Sequence, residues 1–295
     1  MFSQFFGQFL LNRGYLTSAE LLDVLNRTSQ AHVRLGVMAM GHKLLTADQV
    51  EEIHAIQARE DKRFGQIALD LGYLTGDQLD ELLAGQKNEH MQMVQVLLDS
   101  KLFSLDDLDR LLEEYRDSNA MDEVALQALM DGQVDTYVDL FLNLQDAFDP
   151  VSCREYVCLF LKNFIRFIDR GICFEPIQCP ENYHNTYLAT QVLEGKNRML
   201  TGIGGSGEAL LELASRFSQE PISEIEDLMA DAVGEFLNLQ NGIFTVNMSD
   251  QGVEMEMEPQ IFLTNPNIPG KMGLWVLPIS SSWGRIDLVL AQLVD

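Results

Sequence analysis

Cysteine is scarce in this 295-residue chain: Cys153, Cys158, Cys173 and Cys179 are all there is, and no two form a Cys-x-x-Cys pair. Only five histidines accompany them, and these are scattered, so a tetrahedral zinc centre has no donor set to draw on. The thiols are expected to be reduced, as in a cytoplasmic protein. Cys158, inside the apolar run YVCLFLKNF, is expected to be a small buried hydrophobe. Positive charge is also short, with 20 Lys and Arg against 45 Asp and Glu and a net charge of −25. No basic cluster interrupts that acidity; such a surface repels phosphate backbones, and nucleic acid is excluded as a partner. No stretch approaches the roughly 20 consecutive apolar residues of a membrane span, so membrane insertion is not expected. The opening segment, MFSQFFGQFLLNRGYL, lacks the basic leader and small-residue cleavage site of a signal peptide. What is present is an ordinary globular composition, 46% hydrophobic, in a chain long enough for about two domains of roughly 150 residues.

Residues 1–116 repeat themselves with a period of 29, four times over. Leu16, Leu45, Leu74 and Phe103 share one phase, followed by Thr17, Thr46, Thr75 and Ser104, and three residues later by Glu20, Gln49, Gln78 and Asp107. A hydroxyl N-cap answered by Glu or Gln at N3 is a capping box, and the fourth pair, ending in Asp, is a weaker version. Apolar pairs then follow at helical spacing: Leu21 and Val24, Val50 and Ile53, Leu79 and Leu82, Leu108 and Leu111. A shorter helix precedes each, as in GQIALDL before Gly72. The unit is therefore helix–turn–helix, and the four are expected to stack into an all-α domain, because one unit cannot bury its own apolar face.

Two units carry more: Arg34-Leu35-Gly36 leads to Gln57, and Arg63-Phe64-Gly65 leads through Leu79 and Leu83 to Gln86. This is similar to the RLG…L…L…Q motif of the MshEN-type N-terminal domain of type II secretion ATPases. That resemblance implies a cyclic di-GMP site in which Arg34 and Arg63 meet phosphate or guanine. The departures are Ala39, Val50 and His54 in the first motif and Phe64 and Ala68 in the second, at positions where the family has other residues, chiefly leucine. The spacer between motifs is also short. These departures favour Arg and Gln as caps and solubilising groups, with Gly7, Gly36 and Gly65 permitting tight helix contacts.

Residues 117–150 keep apolar periodicity with few breakers and are expected to form one or two bridging helices, punctuated at Asp131-Gly132 and Asp149-Pro150. The expected division is 1–118 repeats, 119–150 helical connector, 151–295 second domain. In the last, SCREYVCLFLKNFIRFIDRG reads as an amphipathic helix ended by Gly171. The runs ICFEPI, TYLATQVLEG and NRMLTGIG read as strands, then GEALLELASRF as a helix and about 221–247 as a long one. Three further strands, GVEMEMEP, KMGLWVLPIS and GRIDLVLAQLV, close the chain. Long helices alternating with consecutive strands predict an α+β fold with helices against an antiparallel sheet. Gly202-Ile203-Gly204-Gly205-Ser206-Gly207 satisfies G-x-G-x-x-G, but no second parallel strand and no acidic residue follow where a dinucleotide fold needs them.

Along the long helix, Ile225, Met229, Ala232, Phe236, Leu239 and Ile243 are expected to face the sheet. Asp231, Glu235, Asn238 and Gly242, at i, i+4, i+7 and i+11, share the opposite face. That stripe resembles the [DS]xxxExxN signature of the CheC/CheX/FliY chemotaxis phosphatases, together with the order of helices and strands from about 151 to 295. The family's downstream proline is approximated by Pro259, two residues early. The resemblance implies that Asn238 orients the water attacking a receiver-domain aspartyl phosphate and that Glu235 pairs with a receiver lysine. Asp231 would lie at the rim, and Gly242 would leave room for the partner. It further implies no cofactor of the protein's own, Mg2+ on the partner receiver, and a homodimer through the second domain with KMGLWVLPIS and GRIDLVLAQLV as candidate edges. CheC proteins carry two such motifs; here Glu155 and Asn163 on the other helix do not fit the spacing, so one site is expected. The alternative is a non-catalytic adaptor, or a cyclic di-GMP-responsive binding protein, in the same kind of pathway.

Overall fold

In the computed structural model each Thr or Ser of the 29-residue period caps a helix; the residues described are all except 29, 58, 61, 86–87, 145–146, 196–197, 224–226, 271–272 and 294–295. The four units are the helix pairs α1 (Phe2–Asn12) and α2 (Ser18–Thr28), α3 (Leu35–Gly41) and α4 (Ala47–Gln57), α5 (Phe64–Asp70) and α6 (Gly76–Gly85), α7 (Glu89–Asp99) and α8 (Leu105–Ser118). Thr17 N–H donates to Glu20 (2.8 Å) and Glu20 N–H donates back to Thr17 Oγ1 (3.3 Å). Thr46 with Gln49 and Thr75 with Gln78 repeat this. The Ser104–Asp107 pair, expected to be weaker, also closes both bonds, at 3.1 and 3.2 Å. Each cap satisfies N–H groups that the first helical turn leaves orphaned, a contribution of about 1 kcal/mol per helix.

With α9 (Glu123–Met130), these helices make the compact unit Met1–Gln133; no strand occurs among its described residues. The packing partners were not visible in the period. The first unit rests on the fourth, through α1 and α2 against α7, while the second and third pack together through α3, α4, α5 and α6. Val50, Ile53, Phe64, Ile67, Leu74 and Leu82 form the core of the second pair. Close approach requires small residues: a Cβ at Gly36 would stand 2.9 Å from Val50, and one at Gly65 2.8 Å from Leu79.

The second unit, Val134–Asp295, begins with α10 (Val134–Phe141) and α11 (Pro150–Phe167), so the connector expected at 119–150 is shared between the two units. Then come β1 (Cys173–Phe174), β2 (Asn182–His184), β3 (Tyr187–Gly195), β4 (Met199–Gly205), α12 (Gly207–Ser218), α13 (Asp227–Asp250), β5 (Met255–Met257), β6 (Ile261–Thr264), β7 (Asn267–Pro269), β8 (Trp275–Ser281) and β9 (Gly284–Gln292). The fold is α+β. The main sheet is antiparallel in the order β1-β8-β9-β4-β3-β5, with β6 also on β3. Side chains alternate across it. Gln191, Thr201, Ile203, Leu288 and Leu290 face α11, α12 and α13, while Leu188, Val276, Val289 and Ala291 meet Tyr183 and Ile268 of a β2–β7 ribbon on the other side.

Several expectations change here. β9 pairs with both β8 and β4, so it is an interior strand and not an edge; its apolar run reflects cover on both faces. In the G-x-G-x-x-G run no glycine has positive φ, and Gly202, Gly204 and Gly205 lie in β4. A side chain at Gly204 would collide with Tyr183 Oη, so this glycine seats the ribbon on the sheet, while one at Gly202 would stand 2.9 Å from Leu188 of the neighbouring strand. The ribbon and β6 lacked legible alternation because they are only three or four residues long. Cys153 and Cys158 are buried on α11, where desolvation pushes each thiol up to about 12.

In the helical unit, His90 is buried against Phe2 at 4.9 Å between ring centroids, and its Nε2 has no hydrogen-bond partner among the described residues. Burial, with His42 adding charge nearby, holds its pKa down to about 4. Between the ordinary histidine range and that value the unfolded chain binds a proton that the folded one refuses, so stability falls as pH falls. Lowering pH from 7.5 to 5 is expected to cost wild-type protein about 2 kcal/mol more, in urea unfolding, than His90→Leu. Parallel losses in the two proteins would show that His90 does not carry the effect.

Candidate functional site

The 24-residue helix α13 lies over β3 and β4, and its buried face is not the one apolarity predicts. Met229, Ala232 and Phe236 are buried as expected, with Phe236 among Phe160, Phe164 and Phe217 at 5.8, 6.3 and 5.3 Å. Beyond Phe236 the contact face swings to Leu237, Gln240, Asn241, Phe244 and Met248. Ile243 is exposed and Leu239 only half-buried, while Ile225 lies outside the described residues. The reason is polar. Gln240 and Asn241, each 0% exposed, find partners on the sheet and on α11 that make their burial affordable.

Asn241 is the centre of this network. Its Nδ2 donates to Gln191 Oε1 (2.8 Å) and Thr201 Oγ1 (2.9 Å), and its Oδ1 accepts from the Tyr156 hydroxyl (2.6 Å). Asn163 Nδ2 donates to Gln240 Oε1 at 2.8 Å. Asn163 is thus a buried structural amide, and Glu155 is paired with Arg154, so these two residues of α11 form no second exposed site. Burial raises the Tyr156 pKa, keeping that hydroxyl a donor.

Opposite the network, Asp231, Glu235 and Asn238 are exposed together on α13, and Gly242 is half-buried. A Cβ at Gly242 would meet only Met257, at 3.9 Å, so the surface beside Asn238 is open. Glu235 makes no ion pair among the described residues. Asn238 differs from its neighbours in being tied inward: Gln191 Nε2 donates to its Oδ1 at 3.1 Å and to the Glu258 backbone carbonyl at 2.8 Å. Gln191 was not singled out in the sequence; only the alternation of β3, which points it at the helices, signals it.

The nucleotide-motif residues have structural employment. Arg34 and Arg63 are the N-caps of α3 and α5, and the Arg34 guanidinium pairs with Asp99 at 3.4 Å. Gln57 bonds His54 Nδ1 and the Lys62 carbonyl, Gly36 and Gly65 make helix contacts, and Gln86 lies outside the described residues. No cluster of three or more metal-ligating residues occurs among the described residues.

No family model and no curated protein matches the chain. Among solved structures, the C-terminal half is similar to CheC-like and CheX chemotaxis proteins. A CheC-like superfamily protein from Shewanella sp. PV-4 is 16% identical over 48% of this chain and 97% of its own, with TM-score 0.43. CheX from Desulfovibrio desulfuricans is 14% identical over 48% and 99%, TM-score 0.42. CheX from Borrelia burgdorferi, solved with CheY, BeF3 and Mg2+, is 15% identical over 48% and 98%, TM-score 0.41.

Two asparagines three residues apart on α13 thus have opposite surroundings. Asn241→Leu strips partners from Tyr156 and Gln191 and is expected to cost about 2–4 kcal/mol in urea unfolding. Asn238→Ala removes a single acceptor at the exposed edge of the network and is expected to cost less, about 1 kcal/mol. Equal losses would mean that the network is not what anchors the helix.

Proposed function

We propose that the second unit is a phosphatase for the aspartyl phosphate of a response-regulator receiver domain, in a cytoplasmic signalling protein. What supports it above all is the exposed pair Glu235 and Asn238 on a helix locked from behind, in the spacing of the [DS]xxxExxN signature. An aspartyl phosphate is a reactive acyl phosphate. Its hydrolysis forms a bond from water oxygen to phosphorus and breaks the bond from phosphorus to the aspartyl oxygen. The carboxylate and inorganic phosphate leave, and the water's proton passes to phosphate and solvent. The receiver would bring Mg2+, so this chain need only place a water in line, and positioning of that kind is worth several kcal/mol. A carboxamide carries a donor at one end and an acceptor at the other, so one end can be anchored while the other holds a water in place. Glu235, exposed and without an ion pair of its own among the described residues, suits a receiver lysine. The helical unit would dock or regulate, and cyclic di-GMP would be one ligand to test there. A homodimer, which the resemblance implies, is checked by light scattering at high micromolar concentration.

The experiment is dephosphorylation of a panel of phosphorylated receivers, with a parallel binding titration using a stable phosphoryl mimic. Asn238→Ala is expected to lose most turnover with binding nearly unchanged, since its contact matters chiefly in the transition state. Glu235→Ala is expected to weaken both, and Asp231→Ala to have a smaller effect. Full activity of Asn238→Ala would rule out the mechanism. Wild-type protein that binds without accelerating phosphate loss would identify an adaptor instead.

A further inference from the structure

We propose that Gln191 is a positioning residue that fixes the side-chain amide of Asn238 with its oxygen inward and its Nδ2 donor toward the substrate; this rests on the phosphatase reading of the α13 face. An exposed asparagine ordinarily turns its amide freely, because water satisfies either end. Here the freedom is removed from below. The Glu258 carbonyl can only accept, so the Gln191 atom 2.8 Å from it must be Nε2. The second hydrogen of that nitrogen then points to Asn238, 3.1 Å away, and the Asn238 atom receiving it must be Oδ1. Gln191 cannot turn over, since its own Oε1 is held by Asn241 Nδ2 and Asn241 Oδ1 is held by the Tyr156 hydroxyl. Gln191 is 3% exposed, and Tyr156 and Asn241 are 0% exposed, so water does not compete for these bonds.

Every donor in the series Tyr156, Asn241, Gln191, Asn238 points the same way, from the core outward, and each bond polarises the next. The series ends at Asn238 Nδ2, which has no partner among the described residues. The face offered to a receiver is therefore a directed donor. A phosphoryl group and the lone pair of an attacking water are both acceptors, so the fixed orientation suits them and disfavours a donor ligand. Gln191 touches neither; it acts through Asn238.

The test replaces Gln191 by methionine, which keeps the length but neither donates nor accepts as an amide does. With a phosphorylated receiver, Gln191→Met is expected to lower kcat by about 10-fold to 100-fold, as loss of alignment does. Binding of the receiver with its phosphoryl mimic is expected to stay within roughly twofold, and the same substitution made on top of Asn238→Ala is expected to change kcat by less than about twofold. Full turnover in Gln191→Met, or an equal loss on both backgrounds, would overturn the proposal alone, the latter because a merely structural role adds independently. Wild-type protein that fails to accelerate dephosphorylation overturns it together with the reading of the site, a result seen before any Gln191 variant is made. Should Gln191→Met not fold, side-chain hydrogen exchange decides. Both Gln191 Nε2 hydrogens are expected to be protected in wild type, and one is expected to exchange at least about 10-fold faster in Asn238→Ala. Unchanged protection would overturn the assignment.

Discussion

Four elements of the second unit meet at one buried amide. Asn241 of α13 reaches Tyr156 on α11, Gln191 on β3 and Thr201 on β4, and each partner is itself buried. An unsatisfied amide in that position costs on the order of 1–3 kcal/mol, so the network tolerates only the arrangement in which every member is paired. That requirement sets the rotation of α13 about its axis. With Asn241 and Gln240 turned inward, Asp231, Glu235 and Asn238 must turn outward. The candidate site is exposed because the opposite face is committed.

The sheet is shaped by a complementary constraint on its far side. Gly202 and Gly204 clear space in β4 for Leu188 and Tyr183, and the Tyr183 hydroxyl and Asn185 both bond Asp287 at 3.1 and 3.0 Å. The ribbon thereby covers the face that the helices leave free. β9, between two neighbours and under two layers, is buried along most of its length. The helical unit relies on helix caps and on small residues where helices cross. Its capping boxes fix where helices start, and glycines at the crossings let them approach until Val50, Phe64 and Leu79 interlock. Arg34 and Arg63 then fall at the N-cap positions of α3 and α5, neither capping through its side chain, and Arg34 pairs with Asp99.

Much of this was determined by the sequence alone, for local reasons. Helix starts at Thr17, Thr46, Thr75 and Ser104 follow from hydroxyl–carboxyl pairs three residues apart, a signal that needs no tertiary partner. The shared face of Asp231, Glu235 and Asn238 follows from helical geometry, and the α+β character from strand-like runs set between long helices. Tertiary structure decided what depends on partners distant in sequence. It paired the first repeat with the fourth, since a period records similarity between units and not which of them touch. It placed β9 in the sheet interior, because an apolar strand reads the same at an edge or under cover. It buried Gln240 and Asn241 in place of Ile243, because hydrogen bonds to Tyr156, Asn163, Gln191 and Thr201 outweigh apolarity once those groups converge. Gln191, 47 residues before Asn238, came to hold it only through the packing of α13 on β3, a relation no local pattern encodes.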